Sequence, residues 1–326
     1  MDFLIDFLWT PLVDAFNGAQ QVLFEQLVQP MAFAVGAGNF LAEAYDGTGW
    51  LVVGLIQIAV MLMLIAPLQR WMPVEPVSDR RAVRVDVIYT LIHRLGLFKL
   101  VMFFTLEPLV DDGLGVLRTM GMPTLHLDQW WPGVSDNGVV SFLIYLIVFD
   151  FIQYLIHRAQ HQSNTWWALH SLHHAQRQMT MWSDNRNHLL DSALVDVIFV
   201  VVALAIGVPP GQYVAVVALT QLSENFQHAN VRISFGRWGE RLWVSPRFHR
   251  MHHGVGIGHE SSGRHTLGGC NFGVLLPWWD MLFGTANFAP RFEATGVRDQ
   301  VESGRDYGDG FWRQQWLGVL RLFHRA

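Results

Sequence analysis

The chain has 326 residues, of which 51% are apolar and 15% charged, with 14 Trp, 22 Phe and a mean hydropathy of +0.24. Soluble proteins carry roughly 25% charged residues, so this balance points to a protein embedded in lipid. A net charge of -5 with no dense basic cluster excludes a nucleic-acid partner, and a single cysteine, Cys270, excludes an internal disulfide or a four-cysteine iron–sulfur centre.

The N-terminal Met-Asp-Phe-Leu-Ile-Asp lacks the positive region and cleavage site of a secretory signal and reads as part of the mature protein. The first 49 residues spread Asp2, Asp6, Asp14, Glu25, Glu43 and Asp46 among apolar patches at 3–16 and 22–35, which predicts an amphipathic segment on or in the outer leaflet. Apolar runs long enough to cross a bilayer follow at 50–68, 87–110, 139–156 and 189–208. Pro209, Pro210 and Gly211 interrupt the last one, and the apolar run 213–222 predicts a helical hairpin. Lys and Arg are absent before Arg70, whereas Arg80, Arg81 and Arg84 follow the first run, so that loop is expected to be cytoplasmic. Alternation puts the acidic 111–138 connection outside and returns the third span to the cytoplasm. At the far end, Trp312, Trp316, Leu320 and Phe323 make a stripe at helical spacing beside Arg313, Arg321 and Arg325, which predicts an interfacial helix.

Ten histidines lie between positions 157 and 253, eight of them in three clusters: His157 and His161; His170, His173 and His174; His249, His252 and His253. Spacings of three and four residues put side chains on one helix face, so each cluster aims its imidazoles at a common locus. Imidazole is the commonest metal ligand, and eight exceed the four that a closed tetrahedral zinc site uses, so two metals are expected. His188 and His228 each follow the same region singly and join as candidates. His259 and His265 lack cluster spacing and read as loop residues, and His259-Glu260 lacks the second histidine of the zinc-protease pattern. Without thiolates, an imidazole-rich set suits iron with positions open to dioxygen. Asp150, Asp184, Asp191, Glu224 and Asp280 are the acids placed to orient the rings by accepting their free N–H groups.

With Asn185-Arg186-Asn187-His188, His228-Ala-Asn-Val-Arg232, Asn271-Phe272-Gly273 and Trp279-Asp280-Met-Leu-Phe283-Gly284-Thr285, the three clusters resemble the fatty acid hydroxylase and sterol desaturase superfamily of integral-membrane di-iron oxidoreductases, over roughly residues 139–286. The resemblance implies an all-α membrane protein of about four spans with a cytosolic histidine-rich helical cap. Its metal positions fall on His157, His161, His170, His173, His174, His249, His252 and His253, and further on His188 and His228. Leu189 stands where many relatives have proline after the isolated histidine. Segments 1–138, 139–286 and 287–326 are then the N-terminal spans, the hydroxylase-like domain and an interfacial tail.

The activity implied is dioxygen-dependent hydroxylation or desaturation of a sterol-like or fatty acyl lipid by two iron ions. Electrons must come from a separate reductase or ferredoxin-type protein, because the chain has no Gly-x-Gly-x-x-Gly fingerprint and no haem segment. A membrane metal transporter would need ionisable ligands near the bilayer midplane, and a zinc-dependent membrane hydrolase is distinguished by its metal. Arginine greatly outnumbers lysine, and no endoplasmic-reticulum retrieval signal ends the chain, which favours a bacterial inner membrane with the metal site on the cytoplasmic side. Substrate identity, the choice between alcohol and alkene, and catalytic groups beyond the metal ligands are not written in these motifs.

Overall fold

The computed structural model describes residues 2–255 and 269–325, of which no residue forms a β-strand. The described residues are 68% helical. Helix α1 (Asp2–Leu23) runs through one widened turn into a short helix ending at Ala34, and packs against α2 (Leu41–Val60). Helix α2 continues without a break to Trp71, giving an apolar rod of 34 residues from Gly38. At 1.5 Å per residue that is about 51 Å, well beyond a hydrocarbon core of about 30 Å. The rod is thus longer than a crossing needs, and near its C-terminal end Met61 and Ile65 pack on Met181, Ala229 and Val231.

Helix α3 (Arg80–Arg94) is capped by Asp79, whose carboxylate accepts from the Ala82 N–H at 2.9 Å. The continuous run expected over 87–110 is not one straight helix. It turns by 49° between α3 and α4 (Leu97–Thr105), and α5 (Glu107–Thr119) follows after a further break. Two contacts make the bend. Gly96 adopts φ +77°, and Arg94 is drawn inward to Asp184 and Asn225 at 3.2 and 3.0 Å. Gly54 of α2 allows this, since a Cβ there would sit 1.7 Å from the Arg94 carbonyl oxygen.

The third apolar run is α6 (Gly138–Gln162), started by Asn137 accepting from the Val139 N–H at 3.0 Å. Ser163, the next residue, caps α7 (Asn164–His174). The hairpin is α8 (Leu189–Ile206), closed by Gly207 at φ +66°, and α9 (Pro210–Gln227), with Pro210 in its first turn. Among the described residues three helices, Gly38–Trp71, α6 and α8, are long and apolar enough to cross a membrane, and the bent α3–α4 pair makes four if it is one span. Phe149 of α6 stacks on Phe199 of α8 and meets Tyr213 of α9, with Ile206, Val216 and Leu276 completing this core. Beyond the spans lie α10 (Pro246–His252), α11 (Trp278–Leu282) and α12 (Phe311–Leu322). Helix α12 lies against α7, burying Gln314, Gln315, Gly318 and Arg321 and exposing Trp312, Trp316 and Phe323.

Candidate metal centre

Helices α6, α7 and α10 each end in their histidine cluster, and the three ends meet with His228, the residue after α9. Ring nitrogens of His157, His161, His170 and His174 lie within 4.8 Å of one another, as do those of His173, His228, His249 and His253. A third group, His174, His252 and His253, joins the two loci. All nine residues are buried.

Hydrogen bonds fix which nitrogen of several rings faces inward. His157 Nδ1 is 2.9 Å from the Phe272 carbonyl oxygen, His252 Nδ1 is 2.7 Å from that of Cys270, and His228 Nδ1 is 2.8 Å from that of Glu224. His170 Nδ1 is 3.2 Å from Asp191 Oδ2. Each of these oxygens accepts an Nδ1–H and leaves Nε2 bare towards the cluster, the arrangement by which proteins orient ligating imidazoles. Burial, reinforced by the neighbouring imidazoles, pushes His173, His174, His249 and His253 well below the ordinary histidine range. Burial likewise brings His252 down to about 3. These rings are neutral at pH 7, the form that binds metal.

The donor set fits cations better than it fits itself. The Nε2 atoms of His173, His228, His249 and His253 follow one another at 3.1, 3.0 and 3.1 Å. Because His228 Nε2 is bare, His249 would have to donate its one proton to His228 and also to His253, which one proton cannot do at full strength. Buried without a hydrogen-bond partner are His170 Nε2, His174 Nε2, His252 Nε2, His173 Nδ1, His249 Nδ1 and His253 Nδ1. At about 1–3 kcal/mol for each unsatisfied buried group, six would cost roughly 6–18 kcal/mol, as much as the whole stability of a typical fold. Metal ions at the two loci would remove the proton conflict along the second chain of Nε2 atoms and would engage the bare Nε2 atoms of His170, His174 and His252. The Nδ1 atoms of His173, His249 and His253 face away from that chain and are not relieved by it.

His188 is brought to neither locus. Its Nδ1 accepts from the Leu190 N–H at 3.2 Å as the N-cap of α8, and its Nε2 lies 2.8 Å from the Gln315 carbonyl oxygen of α12. Both ring nitrogens are thus engaged within the fold, and His188 is in none of the three histidine groups. His259, Glu260 and His265 lie outside the described residues.

The five acids divide by what they touch. Asp191 accepts from His170, and also from Gln160 and Trp166 at 2.8 and 2.7 Å. Asp184 lies 3.7 Å from His228 Nδ1 and is held by Arg94 and Asn225. Asp280 accepts from the Phe272 and Gly273 N–H groups at 2.8 and 2.7 Å, which sets the Phe272 carbonyl that orients His157. Glycine is needed at 273, since a Cβ would sit 2.7 Å from that carboxylate. Asp150 touches no imidazole; it clamps the Leu275 and Leu276 N–H groups and the Trp279 indole. The Glu224 carboxylate takes the Gln153 amide at 3.0 Å, and only its backbone carbonyl reaches His228. Missed in the sequence were Arg94 and Asn225, although an arginine inside an apolar run is itself a signal. Asp86, which fixes the 183–186 segment through Arg186 and Ser183, was also missed.

A cavity of about 270 Å³ opens from the histidines into the space between the spans. Its lining includes His157, His170, His173, His228 and His249 together with the apolar side chains of Phe149, Phe199, Tyr213 and Val216. The arrangement can hold two cations side by side at the head of an apolar slot.

A fatty acid hydroxylase family model matches residues 142–285. The chain is 25% identical to an ornithine lipid hydroxylase of Rhizobium tropici over 248 residues, 74% of this chain and 70% of that protein. It is 23% identical to a Delta(7)-sterol 5(6)-desaturase of Gibberella zeae over 60% of this chain and 55% of that one. Identity to the alkylglycerol monooxygenase of Homo sapiens is 29%, over 42% of this chain and 28% of the human protein. No solved structure matches the chain.

Proposed function

The chain belongs to the fatty acid hydroxylase and sterol desaturase superfamily and is an oxidoreductase, and from that premise we propose that it hydroxylates or desaturates an unactivated C–H bond of a membrane lipid, using dioxygen and two non-haem iron ions. The observation that carries this reading is the pair of adjoining four-histidine groups at the head of an apolar cavity between the spans. One group would be held by His157, His161, His170 and His174, the other by His173, His228, His249 and His253, with His252 between them. When bound, the irons supply dioxygen activation and removal of hydrogen from carbon.

The chain's own residues do the rest. Phe272, Cys270, Glu224 and Asp191 hold the imidazoles in the tautomer that turns Nε2 inward, so the site is organised before substrate arrives. The aromatic walls at Phe149, Phe199 and Tyr213 exclude water and seat a hydrocarbon segment against the histidine end. Hydroxylation consumes one dioxygen, two electrons and two protons per lipid and releases one water. The electrons are assigned to a separate reductase or ferredoxin-type donor, since the chain carries one cysteine and no dinucleotide fingerprint. We assign the site to the cytoplasmic face of a bacterial inner membrane, supported by the arginines after the first span. Segments 1–138, 139–286 and 287–326 serve as membrane anchor, metal-bearing domain and interfacial tail.

Lipid extracts from cells with and without the gene test this. The expected result is a lipid gaining one oxygen or losing two hydrogens, absent with His173→Ala; identical lipidomes with well-expressed, iron-loaded protein overturn it.

A further inference from the structure

We propose that the cavity selects its lipid through a second, distal contact: Lys99 and Asp196 bind an uncharged group that both donates and accepts hydrogen bonds, a hydroxyl or an amide, on the same lipid whose carbon faces the histidines. The inference rests on the lipid-oxidising reading and adds a specificity site to it.

Lys99 is the only lysine in 326 residues. It sits on α4, whose Leu97, Leu100, Val101 and Phe104 are exposed, and its ammonium pairs with Asp196 on α8, the span least covered by protein. An ion pair between two lipid-facing helices is expensive to desolvate and marks a functional position more often than a stabilising one. Both residues line the same cavity as His173 and His228.

The pair is incompletely used. An ammonium has three donors and Asp196 takes one of them, while Lys99 Nζ stands 5.8 Å from the centroid of Trp50, another lining residue. Asp196 Oδ2 is buried and has no hydrogen-bond partner. An open acceptor and open donors thus stand side by side. Glu107 of α5 stands within electrostatic range of both Lys99 and Asp196. A carboxylate placed there would face two like charges and an ammonium would face Lys99, whereas a hydroxyl or an amide engages the pair without a like-charge contact. Asp196 lies five residues beyond Asp191, about 7.5 Å further along α8. Asp191 holds His170, so that rise sets the scale of the spacing between the polar group and the reacting carbon.

Thermal-shift titrations of the full-length protein in detergent test the site, with hexadecanamide, 1-hexadecanol, hexadecane, hexadecanoate and hexadecylamine as probes. The amide and alcohol should bind at least ~tenfold more tightly than the other three, the step expected for one or two hydrogen bonds to charged groups. Lys99→Met/Asp196→Leu removes both charges together, so neither is left buried alone, and should erase the preference. Equal binding of hexadecane and hexadecanamide by the wild type overturns the proposal, as does a preference that survives in a folded double variant. The wild-type comparison decides even if that variant does not fold. Binding requires no turnover, so a failed preference in an enzyme that oxidises lipid refutes only the distal site. A clear preference in a protein that leaves lipids unchanged refutes the oxidation instead.

Discussion

Replacing Asp191 with asparagine keeps the side chain's shape and removes one acceptor oxygen. In the native site Oδ1 takes Gln160 and Trp166 at 2.8 and 2.7 Å, and Oδ2 takes His170 Nδ1 at 3.2 Å. The two short bonds will claim the single amide oxygen of Asp191→Asn, which turns its NH2 group towards His170. Nδ1 must then accept, and the proton moves to Nε2, the nitrogen facing the first locus. Losing such an orienting partner lowers metal affinity by about ten- to a hundredfold, or about 1.4–2.8 kcal/mol. Anaerobic titration with ferrous iron against a competing chelator reads this directly. Asp150→Asn is the control, because Asp150 clamps only the 275–279 segment: it should lower thermal stability and leave iron affinity near the wild-type value. Wild-type affinity in Asp191→Asn would refute the assignment of tautomers.

Three further outcomes follow from the same geometry. His188→Asn preserves an N-cap for α8 and should retain the full metal content by elemental analysis; loss of one metal would return His188 to the ligand set. Gly318→Ala drives a Cβ to 2.2 Å from His188 Cδ2 and should lower the thermal midpoint by overpacking, about 1–3 kcal/mol, while iron stoichiometry holds. The buried imidazoles of His173, His174, His249, His252 and His253 resist protonation in the fold, whereas an unfolded chain takes up protons from about pH 6.5 downward. Stability of chelator-treated protein is therefore kept above that pH and lost below it, at up to about 1.4 kcal/mol per pH unit per imidazole, and melting at pH 5 should fall well under that at pH 7.5. A flat profile would show that the rings are not buried neutral.

What the sequence could and could not convey has a physical pattern. Spacings of three and four residues fix a helix face, so the shared aim of the histidines within each cluster follows from local geometry, whereas the meeting of the three clusters comes from the packing of three separate helix ends. The break at Pro209-Pro210 was legible for the same reason. The bend at Gly96 was not, because the run 87–110, although interrupted by His93, Arg94 and Lys99, is long and apolar enough to read as one span, and the turn depends on Arg94 reaching Asp184 and on Gly54 giving room. The place of His188 was not legible because a histidine can cap a helix as well as bind a metal, and its partner carbonyl is 127 residues away. The carbonyls of Phe272 and Cys270 orient His157 and His252 with backbone atoms that have no residue signature. Among the acids, chain proximity to a histidine did not separate Asp191, which touches a ring, from Asp150, which holds a loop.

The central claim is that nine buried imidazoles hold two oxygen-activating ions, and counting iron tests it most directly. Full-length protein reconstituted anaerobically should carry two irons per chain, falling to one in His249→Ala, whose locus contains no histidine of the first. A folded, lipid-oxidising preparation that never holds more than one iron, or that works fully with zinc alone, would contradict the account.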